Sequence, residues 1–241
     1  MLRNAALGSI GLGLMGGSVS AADGESLLEQ LIAGPAPANK TMAGVPFEKR
    51  ETVRVAIVGT GLRGTSVLSE FLHLPNVRVT ALCDVVQSKV DRARAMVEKA
   101  EQPTPATFVK GDRGYEELVK RDDIDFVYIA TPWEWHTEQA LAAMNAGRHT
   151  GTEVPSAYTL EDCWKLVDTS ERTRRHCMLM ENCCYDYDEL LILNMVRAGM
   201  LGDIVHGEGA YNHDLREILF ETRDEGLWRR RHHTLRDSNL Y

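Results

Sequence analysis

The chain has 241 residues, 44% hydrophobic and 26% charged, the balance of a soluble globular protein and enough for one large domain or one domain plus part of another. A net charge of −8 excludes nucleic acid as the main partner. Five cysteines, an odd number without a C-x-x-C pair, read neither as a disulfide framework nor as a zinc site, so no metal is expected.

Residues 1–22 read as an export leader. Arg3 is its positive region, Ala5 to Gly17 its apolar region, and Val19-Ser20-Ala21 a small-residue cleavage site. The apolar stretch is too short and too glycine-rich for a membrane span. The expectation is a periplasmic or secreted protein. Residues 23–50, with Pro35, Pro37 and Pro46, read as a linker over the surface.

A βα alternation begins at Thr52. Strand Val53–Val58 precedes helix Thr65–Leu72, strand Val77–Cys83 precedes helix Ser88–Ala100, and Pro103 and Pro105 then break the chain. Helix Tyr115–Lys120, strand Asp125–Ala130, helix Thr137–Ala146 and strand His149–Thr152 follow. The fold class is α/β, a Rossmann-type doubly wound parallel sheet over residues 51–153. Residues 154–241 read as the start of an α+β second domain, with helix Leu160–Arg172, strand Cys177–Glu181, helix Asp186–Ala198 and strand Ile204–Tyr211. The polar remainder supplies no further strands, so this domain reads as incomplete.

The first strand ends in Gly59-Thr-Gly61-Leu-Arg-Gly64. Gly59 allows a tight turn, Gly61 lets a pyrophosphate approach the backbone, and Gly64 lets the helix pack close to the strand. The second strand ends at Asp84, about 20 residues beyond Gly64, where an acid meets adenosine ribose hydroxyls and repels a 2′-phosphate. The predicted cofactor is therefore NAD.

Ala130-Thr-Pro-Trp-Glu-Trp-His136 and Ala146-Gly-Arg-His-Thr-Gly-Thr-Glu-Val-Pro155 resemble the Gfo/Idh/MocA oxidoreductases, which carry Thr-Pro and His after one strand and Glu-Lys-Pro after a later one. Within that group, Glu181-Asn-Cys-Cys-Tyr185, Gly209 to Arg216 and Trp228 to Tyr241 resemble glycoside hydrolase family 109, the NAD-dependent α-N-acetylgalactosaminidases. Val154 departs from the dehydrogenase pattern, because it stands where their Lys moves a substrate proton and cannot titrate. The resemblance implies a redox-neutral cycle. Hydride leaves C3 of the sugar, a base takes the acidified C2 proton, the C1 leaving group departs, water adds, and the hydride returns.

By the same resemblance Leu62 and Arg63 lie along the phosphates and Asp84 holds the ribose. Trp133, Glu134, Trp135 and His136 line the cofactor, and Glu153, Val154 and Asn182 lie toward the nicotinamide. Trp133 and Trp135 equally suit a core or interface, His136 a helix cap, and Glu153 and Asn182 a structural role. Tyr211, Arg229 and Tyr241 are implied for the substrate, a glycan ending in N-acetylgalactosamine. Tyr211 or His213 is assigned proton transfer, His213 being better poised near neutrality, with Tyr185 a lesser candidate. His213 and Tyr185 also read as core or rim residues, and Arg229 as a surface charge. The basic run from Trp228 to His233 reads as a solvated loop or a sugar-binding rim. Two alternatives stand beside the glycosidase: an NAD-dependent sugar or polyol dehydrogenase, and a non-catalytic NAD-binding module. The family also suggests a homo-oligomer.

Overall fold

Alternate residues of the central strands enter two different cores, one on each face of the sheet. In β1 (Val53–Val58), Val55 and Ile57 pack into one cluster with Leu68, Val90, Val97 and Tyr128, while Ala56 and Val58 enter another with Leu118, Ile124, Val127 and Met144. The computed structural model describes residues 41–210 with Asp214, Arg216 and Trp228. The expected leader, most of the linker, and Tyr211, His213, Arg229 and Tyr241 lie outside the described residues.

The sheet holds β1, β2 (Val77–Cys83), β3 (Ala106–Phe108), β4 (Phe126–Ile129), β5 (His149–Thr152) and β6 (Cys177–Leu179), all parallel, in the order β3-β2-β1-β4-β5-β6. Its helices are α1 (Leu62–His73), α2 (Gln87–Lys99), α3 (Tyr115–Leu118), α4 (His136–Asn145), α5 (Leu160–Thr173) and α6 (Tyr187–Arg197). The chain winds outward from β1 to β3, then crosses back to build β4, β5 and β6 on the other side. That reversal leaves a crevice between the carboxyl ends of β1 and β4, where such sheets bind ligands.

Register decides what reaches the crevice. Val58 is level with Cys83 and Ile129, and Ile129 with Thr152. The next residue of each strand therefore forms one rim: Gly59, Asp84, Ala130 and Glu153. Backbone bonds extend the ladder to that rim, with Gly59 N–H donating to Cys83 O at 2.8 Å, Ala130 N–H to Val58 O at 2.8 Å and Glu153 N–H to Ile129 O at 2.9 Å.

Several boundaries correct the sequence reading. α1 starts at Leu62, not Thr65, because Gly61 takes extended angles and its carbonyl already accepts Thr65 N–H at 3.0 Å. The added turn is the one that faces the crevice. β3 was not expected; it is a short edge strand next to the two prolines. β6 ends at Leu179 and pairs with β5, so the boundary expected at residue 153 falls inside the sheet, with α5 as a further crossover. The strand expected at Ile204–Tyr211 does not form over 204–210, where no described segment offers a ladder and Val205 is 96% exposed. Helix α6 buries none of its own residues.

Two details fix the sheet margins. At the β3 edge the side-chain amide of Gln102 stands in for a strand: its Oε1 accepts Val79 N–H and its Nε2 donates to Val77 O, both at 2.9 Å. At the amino ends of the central strands, Asp125 holds Arg54 through Nε at 2.9 Å and Nη2 at 2.7 Å, and Arg50 at 3.1 Å. These contacts hold the Asp125 carboxyl below the usual carboxylate range, chiefly through the hydrogen bond from Arg54.

Candidate nucleotide and catalytic site

The turn after β1 is shaped by close approach. Gly59 has φ of +93°, and a Cβ there would lie 2.6 Å from Ala130 C and O. A Cβ on Gly64 would run into the carbonyl of Gly59, so helix and turn pack at a separation only glycine permits. Gly61 precedes the helix with extended angles, and no side chain caps the first N–H groups of α1, nor is its first turn acidic. Those N–H groups, including those of Leu62, Arg63 and Gly64, and the positive end of the helix dipole are open to an anion. Leu62 is 62% exposed, so its side chain is not a core contact.

Asp84 stands on the rim beside this turn. Its Oδ2 accepts Thr60 N–H at 2.7 Å and the Thr60 hydroxyl at 3.2 Å, and its Oδ1 accepts Val86 N–H at 2.9 Å. A carboxylate has about four lone-pair sites, so acceptor capacity remains for a ribose hydroxyl. The cradle only glycines can form, the uncapped helix and the poised acid all fit a dinucleotide.

Sequence reasoning placed Arg63 and Glu153 at separate ends of the cofactor. The structure joins them: Arg63 Nε pairs with Glu153 Oε1 at 2.9 Å, and the Tyr128 hydroxyl donates to the same oxygen at 2.7 Å. Tyr128 is fully buried in β4 and the Glu153 side chain is 15% exposed. Burial, reinforced by Glu153, raises the Tyr128 pKa far above its ordinary range. Burial opposes the charge on Arg63, yet the Glu153 carboxylate outweighs it and raises the Arg63 pKa. The trio ties the start of α1 to the end of β5. Tyr128 carried no sequence signal, since it sits within an apolar strand.

His136 begins α4 and is fully buried. Its Nδ1 lies 2.7 Å from Pro155 O and its Nε2 lies 2.8 Å from Thr131 O. Burial lowers its pKa, against the opposing pull of the Pro155 and Thr131 carbonyls. With both nitrogens facing backbone carbonyls and no exposed surface, the ring does not reach the crevice. It ties the Thr131-Pro132 turn to Pro155, which follows Val154 through a cis peptide bond. This departs from the lining role implied by the resemblance.

Trp133 is 6% exposed and meets Trp228 edge-on, ring centroids 5.1 Å apart. Trp135 is half-buried against the core beneath α4, and Glu134 is half-buried. Val154 is half-buried beside Glu153. Asn182 is exposed, its amide 3.8 Å from Cys183 Sγ, and Tyr185 is 57% exposed. The structure thus gathers Gly59, Gly61, Leu62, Arg63, Gly64, Asp84, Glu153 and Val154 along one rim. Among the described residues, no cluster of three His, Cys, Asp or Glu could hold a metal, and no helix is long and apolar enough to cross a membrane.

Comparison with known proteins agrees with this geometry. Residues 53–181 match the family model GFO_IDH_MocA, "Oxidoreductase family, NAD-binding Rossmann fold", and residues 185–241 match "Glycosyl hydrolase 109, C-terminal domain". A "Glycosyl hydrolase family 109 protein" of Streptomyces filamentosus is 50% identical over 239 residues, which is 96% of this chain and 48% of that protein. An "Alpha-N-acetylgalactosaminidase" of Shewanella oneidensis is 46% identical over 209 residues, 86% of this chain and 46% of that protein. The chain spans about half the length of the curated relatives it matches. Among solved structures, scyllo-inositol dehydrogenase from Lactobacillus casei with bound NAD(H) and scyllo-inositol aligns with a TM-score of 0.56 at 23% identity, over 63% of this chain and 43% of that one. That likeness establishes the fold.

Proposed function

Because the chain belongs to the Gfo/Idh/MocA oxidoreductase family and carries its NAD-binding Rossmann domain, we propose that it serves a glycosidase that cleaves terminal α-linked N-acetylgalactosamine with no net oxidation. The observation that carries this reading is the end of β5. Glu153 is locked between Tyr128 and Arg63, and the neighbouring position, a proton-handling Lys in the dehydrogenases this chain resembles, is Val154. An apolar residue there suits a reaction in which the sugar is not released oxidised. The glycosyl hydrolase 109 match over residues 185–241 and the activity named for the Shewanella relative support the same substrate class.

NAD, when bound, supplies a hydride acceptor that later acts as donor, making the hydrogen next to an oxidised sugar carbon acidic. The first turn of α1 holds the pyrophosphate through the N–H groups of Leu62 and Arg63. Asp84 accepts ribose hydroxyls. The Arg63–Glu153–Tyr128 trio and the His136 tie hold the nicotinamide-facing segments at fixed separation. Tyr211 or His213 takes the proton from sugar C2, and Arg229 binds sugar hydroxyls or the acetamido carbonyl.

The test is to incubate the protein in deuterated water with a chromogenic α-N-acetylgalactosaminide. Release of chromophore, deuterium at C2 of the freed sugar and no accumulating NADH are expected. Stoichiometric NADH from a free sugar or polyol would replace this reading with a dehydrogenase. Turnover of a substrate that cannot be oxidised at C3 would refute it.

A further inference from the structure

Cys183 and Cys184 are adjacent, and both are exposed. They open a single 3-10 turn, Cys183–Tyr185, between β6 and α6, which Asp186 N–H closes on Cys183 O at 3.1 Å. Asn182 and Tyr185, implied for the nicotinamide and for proton transfer, flank the pair. Glu181 brackets it. Its Oε2 accepts Cys184 N–H at 2.7 Å, and its carboxylate also takes a hydrogen bond from the Cys184 thiol. That hydrogen bond, ahead of partial desolvation, raises the Cys184 pKa. Partial desolvation, then Glu181, Asp186 and Glu189, raise that of Cys183. Two other thiols are closed to chemistry: burial lifts Cys83 to about 12 and Cys177 to about 11.

We propose that Cys183 and Cys184 are a reversible redox site, closed to a disulfide by a low-molecular-weight disulfide, and that closure displaces Asn182 and Tyr185. One thiol of the pair loses its proton to solvent and attacks a sulfur of the oxidant, whose other half leaves as a thiolate and is protonated. The second thiol of the pair gives up its proton and attacks the mixed disulfide. The bond between Cys183 and Cys184 forms and the second thiol of the oxidant departs. Two electrons and two protons thus pass from the pair to the oxidant. The turn cannot hold this bond as it stands. Neighbouring Cα atoms are about 3.8 Å apart, under the roughly 4.4 Å at which disulfides begin, and successive side chains of a 3-10 turn point about 120° apart. Closure therefore takes Cys183 and Cys184 out of helical angles and breaks the bond from Asp186. The strain makes the disulfide easy to reduce again. Glu181 is the brake, since a carboxylate beside the thiols keeps thiolate scarce until oxidant is abundant. The effect on nucleotide rests on the reading of Asn182 as a nicotinamide-side residue, whereas the chemistry of the pair does not.

The experiment incubates the reduced chain with oxidised glutathione, for wild type, Cys183→Ser, Cys184→Ser and Glu181→Gln, with thermal unfolding to confirm that each variant folds. Cleavage after glutamate releases residues 182–189, which contain these two cysteines and no other. Mass spectrometry of that peptide should show the loss of two hydrogens in wild type, and dithiothreitol should restore them. NADH affinity, followed by nucleotide fluorescence, should fall roughly five- to tenfold on oxidation, as for a lost hydrogen-bonding side chain, and recover on reduction. Each Ser variant should bind NADH as reduced wild type does and ignore the oxidant. Glu181→Gln should close roughly two- to fivefold faster at neutral pH, because thiolate gained outweighs nucleophilicity lost. An unchanged peptide, a glutathione adduct that never closes, no faster closure in folded Glu181→Gln, or closure without loss of NADH affinity overturns the proposal. Reduced wild type that binds no NADH overturns the nucleotide reading instead, and the peptide mass still decides the chemistry of the pair.

Discussion

Replacing His136 with Phe tests whether the tie between the Thr131 turn and Pro155 organises the site. The ring is fully buried, and Phe fills similar volume, so the cavity contribution is small. What the variant loses is polar. The neutral ring carries one N–H, facing carbonyls at 2.7 and 2.8 Å, and its removal leaves a buried acceptor without a donor. That costs about 1–3 kcal/mol. For a domain of this size each kcal/mol lowers Tm by roughly 2–4 °C. Urea denaturation should show a lower midpoint at unchanged slope, and NADH affinity should fall because the tie joins the turn after β4 to the segment after β5, both at the carboxyl end of the sheet. The pH dependence adds a second check. Burial lowers the folded pKa of His136, so the unfolded chain takes up the proton first as pH falls. Stability is then complete above the ordinary histidine value of about 6.5 and declines below it. The variant should lose part of that decline. A midpoint loss below about 0.5 kcal/mol, the usual scatter of surface substitutions, would refute the tie.

Gly64→Ala puts a methyl group into the Gly59 carbonyl, so α1 must shift; about 1–3 kcal/mol of stability and most NADH binding should be lost, as read by thermal unfolding and titration. A double-mutant cycle of Arg63→Met and Glu153→Gln should give a coupling of roughly 0.5–3 kcal/mol in urea denaturation, and additivity would show that the pair contributes nothing. His149, whose Nδ1 accepts His176 N–H at 3.0 Å, is held down to about 4, first by burial and then by Arg175 and His176. Its folded pKa lies below the unfolded value of about 6.5, so its share of stability is present above that pH and lost toward 4. His149→Gln, which keeps an acceptor without a charge, should flatten the stability curve in that window.

Legibility followed burial and local chemistry. β1 and β2 have the limits their apolar runs indicate, because central parallel strands are apolar on both faces, and β5, His-Thr-Gly-Thr, follows the Gly147 turn with residues small enough to pack there. The rim glycines and Asp84 were legible because turn geometry and ribose chemistry demand those residue types at that spacing. The first turn of α1 was misread because Gly64, a poor helix former, lies within the glycine turn motif, and the packing of Gly64 on Gly59 overrides that local preference. β3 is too short to show a period, and the strand expected at Ile204–Tyr211 had the composition of a strand without a described partner to pair with. His136 drew attention as part of a motif, but its place between the carbonyls of Thr131 and Pro155 depends on a segment 19 residues away. The Arg63–Glu153 pair is likewise tertiary, and no local pattern announces it.

The amide of Gln102 has a consequence for the molecule in a crowded solution. By satisfying Val77 O and Val79 N–H it occupies the hydrogen-bonding positions that an extended peptide from a neighbouring molecule would seek. One side chain thus acts as a stopper on this margin. Its removal would invite edge-to-edge association before any loss of the fold, a form of protection that belongs to colloidal behaviour and not to stability.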